Sequence, residues 1–354
     1  MARLARTGAQ DDADPHIVIV GAGGSRASCP RGDKNGRHLP VMADLIDRVG
    51  LRPLLETAGV GERVDNFEAV YSDLATSGEH DDAVRETEAT IREYFRQIQI
   101  PDTITIYDYL LLSLRPKDLI ATFNWDPLLA QAFRRHEGLI SMPQLAFLHG
   151  NVAIGFCDEH RACGWHDDHC RVCGEPFSPS PLLFPVKEKN YASQPSIRSQ
   201  WALLERQLAE AYFVTVFGYS APVTDAAARD APLHVWSKNE AREIAEIELI
   251  DIRPKDELLL SWNEFIVRSH YIVGNTVLRA YSSWHPRRSC DALFAATMMN
   301  DPWKDDWLPE FESPTELREW VDPLWREEHR LRGTGEQFSG RPCAEWHKSD
   351  SERE

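Results

Sequence analysis

The sequence predicts an α/β fold, a Rossmann-like and mostly parallel sheet with helices on both faces, carrying a helical insertion and a small cysteine-bearing module. Three observations predict it. Short runs rich in β-branched residues, "HIVIVG", "DLIATF", "QLAFLHG", "FVTVFGYS" and "IELIDI", alternate with segments of helical periodicity, as βαβ units require. The first run opens onto a glycine turn, Gly21-Ala22-Gly23-Gly24-Ser25. Four of the seven cysteines, Cys157, Cys163, Cys170 and Cys173, are clustered, while Cys29, Cys290 and Cys343 are scattered.

Composition narrows the classes. The chain has 354 residues with 42% hydrophobic and 27% charged content, which are globular values and enough to bury a sizeable core. With 39 basic against 56 acidic residues the net charge is −17. That disfavours direct contact with nucleic acid or an anionic membrane, since both need clustered Lys and Arg. No apolar run approaches the ~18 residues of a membrane span, and the first residues hold no apolar segment of signal-peptide length. A soluble, cytoplasmic protein is expected.

The elements follow in order. Residues 1–15 are polar and expected to form a disordered tail. "HIVIVGAGGS" reads as a buried strand running into its turn. From about 40 to 115 the pattern is helical, with "DDAVRETEATIREYFRQI" amphipathic and "TIYDYLLLSL" more apolar, and this stretch looks like an insertion between the first two strands. "DLIATF" is the next strand and "PLLAQAFRR" its helix, with Pro127 as first residue and Asp126 able to cap it. "QLAFLHG" is a third strand, followed by the Cys/His module at about 156–176. "SIRSQWALLERQLAEAY" is a helix feeding "FVTVFGYS", and "IELIDI" is a further strand. A helical region spans about 256–332, where Trp303, Trp307, Trp320 and Trp325 are expected in core. Residues 333–354 are expected to be a mobile tail.

Two features carry chemistry on their own. A strand followed by Gly21 to Ser25 suits a phosphate-binding turn, because glycines let backbone approach a pyrophosphate beside a helix N-terminus. The dinucleotide fingerprint is incomplete, since its third glycine falls at Arg26, and a tight turn without a ligand reads equally well. "CDEHRACGWHDDHCRVCG" contains Cys170-x2-Cys173, whose two thiolates bite one tetrahedral Zn²⁺. For the second pair, Cys157/His160 and Cys163/His166 are both available. The first gives a loop of usual ribbon length, so the zinc ligands are read as Cys157, His160, Cys170 and Cys173. Such a site is closed and structural.

Asn124 and Asp126 in "TFNWD" and His149 in "FLHGN" stand at strand ends, where open α/β sheets keep ligand contacts. Each also has a plain role in loop hydrogen bonding or packing. Their order changes the weighting. "GAGGS", "TFNWD", "LHG", a pair of zinc knuckles and then "VFGYS" together resemble the sirtuin (SIR2-like) family, over roughly residues 16–255 within a SIR2-like domain of 16–332. The chain departs from deacetylating members in carrying "CPRGDKNGRHLP" where they have a segment with Asp-Phe-Arg, in His160 where a Cys is usual, and in its insertion. It is closer in character to bacterial SIR2-like NAD+ hydrolases of antiphage defence.

The resemblance implies NAD+ as substrate, with Asn124 orienting the ribose or water and His149 as the base engaging the ribose hydroxyls. It implies that Gly21, Ala22, Gly23 and Ser25 hold the phosphates, with Thr122 and Asp126 also in the cofactor-binding set. Gly218 and Ser220 would meet the adenosine side, and Asp251 an adenosine ribose hydroxyl. Ser220 and Asp251 also suit ordinary loop hydrogen bonding. The implied activity is NAD+ glycohydrolysis, restrained by homo-oligomerisation or a regulatory protein partner. An NAD+-dependent protein deacylase and a non-catalytic NAD+ or ADP-ribose sensor are the alternatives.

Overall fold

The computed structural model describes residues 14–60, 67–77, 80–185, 194–220, 226–239, 243–267, 269–303, 308–332, 334 and 338. The expected terminal tails lie outside these residues apart from 14, 15, 334 and 338, as does Trp307.

The central sheet has six strands, β1 (His16–Val20), β2 (Leu119–Thr122), β3 (Gln144–Phe147), β7 (Phe213–Phe217), β8 (Glu246–Ile250) and β9 (His270–Gly274). Their spatial order is β3-β2-β1-β7-β8-β9, and every pair is parallel. A second sheet of three short antiparallel strands, β4 (Ile154–Cys157), β5 (Ala162–Trp165) and β6 (Ser178–Pro179), forms the Cys/His module.

Side-chain alternation explains why the central strands read as continuous apolar runs. Val18, Val20 and Ile120 pack on one face with the insertion helices, while Ile17, Ile19, Leu119, Ala121, Val214 and Val216 pack on the other. Both faces are covered, so neither register of the alternation tolerates a polar majority.

Helix α1 (Ala22–Ser28) follows β1, and the insertion then supplies α2 (Leu45–Val49), α3 (Arg52–Thr57), α4 (Phe67–Ser77), α5 (Asp81–Arg96) and α6 (Ile106–Leu112). Helix α5 buries Thr87, Ile91 and Phe95, four residues apart on one stripe. Helix α6 starts from a capping box in which Thr105 and Asp108 each accept the other's backbone N–H. Helix α7 (Leu128–Arg134) begins one residue later than the sequence suggests. Pro127 takes the cap position, and Asp126 Oδ1 accepts the Leu128 N–H at 3.1 Å.

Helix α8 (Pro195–Leu208) packs on β3 and β2 and against α9 (Ala226–Ser237). The region expected to be helical, 256–332, holds α10 (Lys255–Ser261), α11 (Asn263–Ile266), α12 (Tyr281–Trp284), α13 (Ser289–Met298) and α14 (Pro314–Leu331), and also β9. Strand β9 escapes sequence reading because it is an edge strand whose first two residues are exposed, which breaks the apolar run. Trp320 is buried in the core and Trp325 packs against it. No helix among the described residues is long and apolar enough to cross a membrane.

The strand order reverses between β1 and β7. Crossovers lead from β1 outward to β2 and β3, then return to start β7, β8 and β9 on the other side. In open parallel sheets the crevice beyond the carboxyl ends at such a switch is where ligands bind. The turns that end β1 and β7 meet there.

Candidate active site and metal centre

The two switch-point turns are in direct contact. The Gly21 N–H donates to Phe217 O at 3.0 Å and the Gly23 N–H to Gly218 O at 3.0 Å. A Cβ on Gly21 would lie 2.6 Å from Gly218 O, and one on Gly23 2.9 Å from Gly218 Cα. Gly218 is left-handed at φ +59, and a Cβ there would lie 2.6 Å from Gly23 C. These glycines are therefore required by the approach of one turn to the other. The Ala22 N–H, first in α1, has no acceptor within the helix.

The neighbouring strand ends bring in the side chains. Thr122 pairs with Phe147, so Asn124 and His149 each stand two residues beyond the same rung of adjacent parallel strands. Both are 8% exposed. The Asn124 N–H is tied to Thr122 Oγ1 at 3.0 Å. Its carboxamide nitrogen donates to Gly21 O at 2.8 Å and Ser25 Oγ at 2.8 Å, with the Tyr107 hydroxyl at 3.3 Å. Ser25 donates to Asp126 Oδ2 at 2.6 Å and lies 2.7 Å from the Tyr107 hydroxyl.

Backbone on the far side is tied in by Asn151. Its amide nitrogen donates to Asp126 O at 2.6 Å and Asn124 O at 3.2 Å. The imidazole of His149 meets the edge of Phe123 at 4.8 Å, and Phe123 stacks on Tyr219 at 4.2 Å. Phe123 thus joins the histidine to the turn that follows β7.

Burial sets the electrostatics. It pushes the Asp126 carboxyl up to about 6, against the opposing pull of the Ser25 hydroxyl and the Leu128 N–H. Burial likewise holds the Tyr107 phenol well above its ordinary value, with the nearby Asp126 carboxylate adding to the effect. Tyr107 is a neutral hydroxyl across the working pH range.

The Cys/His module presents four ligand atoms. Cys157, His160, Cys170 and Cys173 place one donor each within 4.8 Å of one another. Cys157 Sγ is 3.8 Å from Cys173 Sγ, which matches the ~3.8 Å separation of two thiolates bound tetrahedrally at about 2.3 Å from Zn²⁺. His160 Nδ1 lies 3.4 Å from Cys157 Sγ and 3.8 Å from Cys170 Sγ. The donor set fits a closed zinc ribbon, with Cys157 ending β4, His160 in the β4–β5 turn and the other two on a knuckle closed by left-handed Gly174. Cys163 and His166 are outside the cluster, which settles the choice of pair.

No family model matches this chain, and no curated protein does. Among solved structures, the chain is similar to a SIR2 homologue in complex with NAD, at 16% identity over 84% of this chain and 95% of that one, with a TM-score of 0.37. A second is a Sir2 homologue mutant in complex with ADP-ribose, at 15% identity over 84% and 97%, with a TM-score of 0.38. A third is SIR2 with an inhibitor, 2′-O-acetyl-ADP-ribose and a deacetylated peptide, at 13% identity over 84% and 98%, with a TM-score of 0.38.

Of the residues singled out in sequence, Gly21, Gly23, Ser25, Thr122, Asn124, Asp126 and Gly218 are joined by the hydrogen bonds above, with Ala22 between them. His149 joins through Phe123. Ser220 is exposed, past the end of β7. Asp251, at the end of β8, accepts from the Arg253 N–H and guanidinium, each at 3.0 Å, which is local loop satisfaction. In the divergent loop Asp33 accepts the N–H groups of Asn35, Arg37 and Gln99, so it pins the loop to the insertion. Arg26 is paired with Asp44. Two contributors were not read in sequence, Tyr107 and Asn151. The available signals were a tyrosine inside an apolar helix and an asparagine directly after "LHG".

Proposed function

We propose that this chain is an NAD+ hydrolase, cleaving the nicotinamide–ribose bond to give nicotinamide and ADP-ribose. The observation that carries the reading is the orientation of Asn124. Its nitrogen is engaged by Gly21 O and Ser25 Oγ, and its Oδ1 accepts no hydrogen bond among the described residues. A fixed amide oxygen at the switch point is suited to a water or ribose hydroxyl at a carbon gaining positive charge.

In the reaction the C1′–nitrogen bond breaks, its electron pair leaves with neutral nicotinamide, and water adds to C1′. His149 takes up the proton that water or a ribose hydroxyl loses, because a neutral imidazole nitrogen can accept one. Cys157, His160, Cys170 and Cys173 would hold a structural zinc, which would supply cohesion to the ribbon. Unrestrained NAD+ loss would harm a cell, so the reading includes restraint by self-assembly or a protein partner, as for an effector of antiphage defence.

One observation favours a second reading, an NAD+-dependent deacylase. A cavity of about 270 Å³ lies between the zinc module and α8, lined by Phe156, Cys157, Arg161, Pro195, Arg198 and Ala202 among others. An acylated peptide needs a groove of that kind beside the ribbon. Nicotinamide release from NAD+, measured with and without an acetylated peptide, separates the two. Release without peptide supports hydrolysis, and strict peptide dependence supports the deacylase. Asn124→Ala and His149→Ala are each expected to lower release by about a hundredfold or more with circular dichroism unchanged. Wild-type rates in both variants would refute the assignment.

A further inference from the structure

We infer that Tyr107, supplied by the helical insertion, is a positioning residue that holds the Asn124 carboxamide with its oxygen outward. The inference deepens the NAD+ reading above and rests on it for its kinetic consequences.

Proton counting gives the network a direction. The Ser25 hydroxyl has one proton, and at 2.6 Å from a carboxylate oxygen that proton goes to Asp126. The 2.7 Å contact between Ser25 Oγ and the Tyr107 hydroxyl must then have tyrosine as donor. The phenolic oxygen keeps its lone pairs toward Asn124 Nδ2 at 3.3 Å, where it shares one of the two amide protons that Gly21 O and Ser25 Oγ accept at 2.8 Å. The chain runs from Tyr107 to Ser25 to Asp126, and both oxygens facing Asn124 act as acceptors, together with Gly21 O. Turning the amide over would set Oδ1 against Gly21 O and Ser25 Oγ, neither of which has a proton to give, and the Tyr107 proton could meet it only by leaving Ser25. Only the orientation with nitrogen inward is satisfied.

The tyrosine is fixed for the task. It is 0% exposed, and α6 is clamped at its start by the Thr105–Asp108 box. Asp108, next in sequence, is held by His136 at 2.8 Å and by Arg135. Burial acts to raise that carboxyl, but His136 and the Arg135 guanidinium keep it below the usual carboxylate range. At the other end of α6, Arg287 donates to Leu114 O at 2.9 Å and pairs with Glu328 of α14 at 2.7 Å. The hydroxyl therefore meets Ser25 from a helix held at both ends.

The test is Tyr107→Phe, which removes the hydroxyl and keeps the ring. The expected result is kcat for nicotinamide release lowered about tenfold to a hundredfold with KM for NAD+ within twofold. In an Asn124→Ala background the same change is expected to cost nothing further, because its effect passes through that amide. Unchanged kcat in the single variant, or an additional loss in the double variant, would overturn the inference. A readout without turnover separates this from failure of the NAD+ reading. The Asn124 side-chain NH₂ protons, followed by NMR, are expected to exchange slowly in the wild-type chain and at least tenfold faster in Tyr107→Phe. Fast exchange in the wild type, or no change in the variant, would overturn the positioning role whatever the substrate.

Discussion

Ser25 donates a 2.6 Å hydrogen bond to Asp126 across 101 residues of sequence. The turn after β1 and the segment after β2 are thereby one unit, and a carboxylate is kept in a fully buried place. Burial raises its folded pKa to about 6, above the ordinary aspartate value. The protonated form is thus favoured on folding. The stability associated with this group is complete below about pH 4 and declines as pH rises through about 6.

That sign gives a first prediction. Asp126→Asn is expected to raise the unfolding midpoint above pH 6 and to leave it nearly unchanged at pH 4, since the buried charge is removed. Activity is expected to move the other way. Below about pH 6 a protonated Asp126 no longer draws the Ser25 proton, the chain from Tyr107 loses its direction, and kcat falls. The wild-type kcat is expected to fall more steeply below about pH 6 than that of the uniformly slow Asp126→Asn, which keeps only the limb belonging to the His149 base. Equal Tm values for the two proteins at pH 8 would contradict the burial argument.

The metal centre gives a second. Cys163 is exposed and outside the ligand cluster, whereas Cys170 is buried within it. Cys163→Ser is expected to keep about one zinc per chain by elemental analysis, and Cys170→Ser to lose it together with solubility. Structural zinc contributes directly to folding, so a strong chelator is expected to lower the melting temperature of the wild type. A fully folded, zinc-free wild-type protein would remove the ribbon.

Much of this was legible in the sequence, and the reason is local. Five strands announced themselves because both sheet faces are covered, and the zinc ligands because chelation fixes short spacings. Asn124 and His149 were visible as polar residues at the ends of apolar runs. Tyr107 was hidden because its hydroxyl is spent on residues 82 and 17 positions away, and nothing in "TIYDYLLLSL" marks it apart from core. Asn151 was missed because its role is to gather backbone carbonyls, which leave no trace in sequence. Asp251 stands at a strand end like Asn124, but an arginine two residues on takes up its carboxylate.

A third prediction concerns a buried polar chain away from the site. Glu248 accepts from Thr215 Oγ1 at 3.0 Å and from the Tyr281 N–H at 2.9 Å. Thr215 Oγ1 in turn lies 2.8 Å from His16 Nε2, and His16 Nδ1 lies 2.8 Å from Ser289 Oγ. Burial raises Glu248 to about 7 and lowers His16 to about 4. Stability from the glutamate is present below about 4.5 and lost as pH rises through about 7. Stability from the histidine is present above about 6.5 and lost as pH falls through about 4. The two offset each other between, and the glutamate penalty stands alone at pH 8. Glu248→Gln keeps every bond if the donors reverse along the chain, so it is expected to stabilise at pH 8 and to be neutral at pH 4.5. Urea denaturation at the two pH values checks this, and destabilisation at pH 8 would contradict it.

The last prediction separates conformation from contact at a glycine. Gly218 and Gly50 are both left-handed, at φ +59 and +80. A Cβ on Gly50 would meet nothing within 4 Å, so Gly50→Ala is expected to cost only the backbone penalty of about 1–2 kcal/mol. A Cβ on Gly218 would stand 2.6 Å from Gly23 C and closer still to Gly24 N. These are backbone atoms, and the Gly24 N–H donates to Gly21 O at 2.9 Å, so neither turn can yield cheaply. Gly218→Ala is expected to lose the 3.0 Å bond from Gly23 N to Gly218 O and to cost at least twice as much as Gly50→Ala in urea unfolding. NAD+ binding, followed by calorimetry, is expected to weaken more than tenfold in Gly218→Ala and to be unchanged in Gly50→Ala, because the parted turns carry Gly21 away from Asn124. Equal unfolding costs would mean that the two strand-end turns do not meet as described.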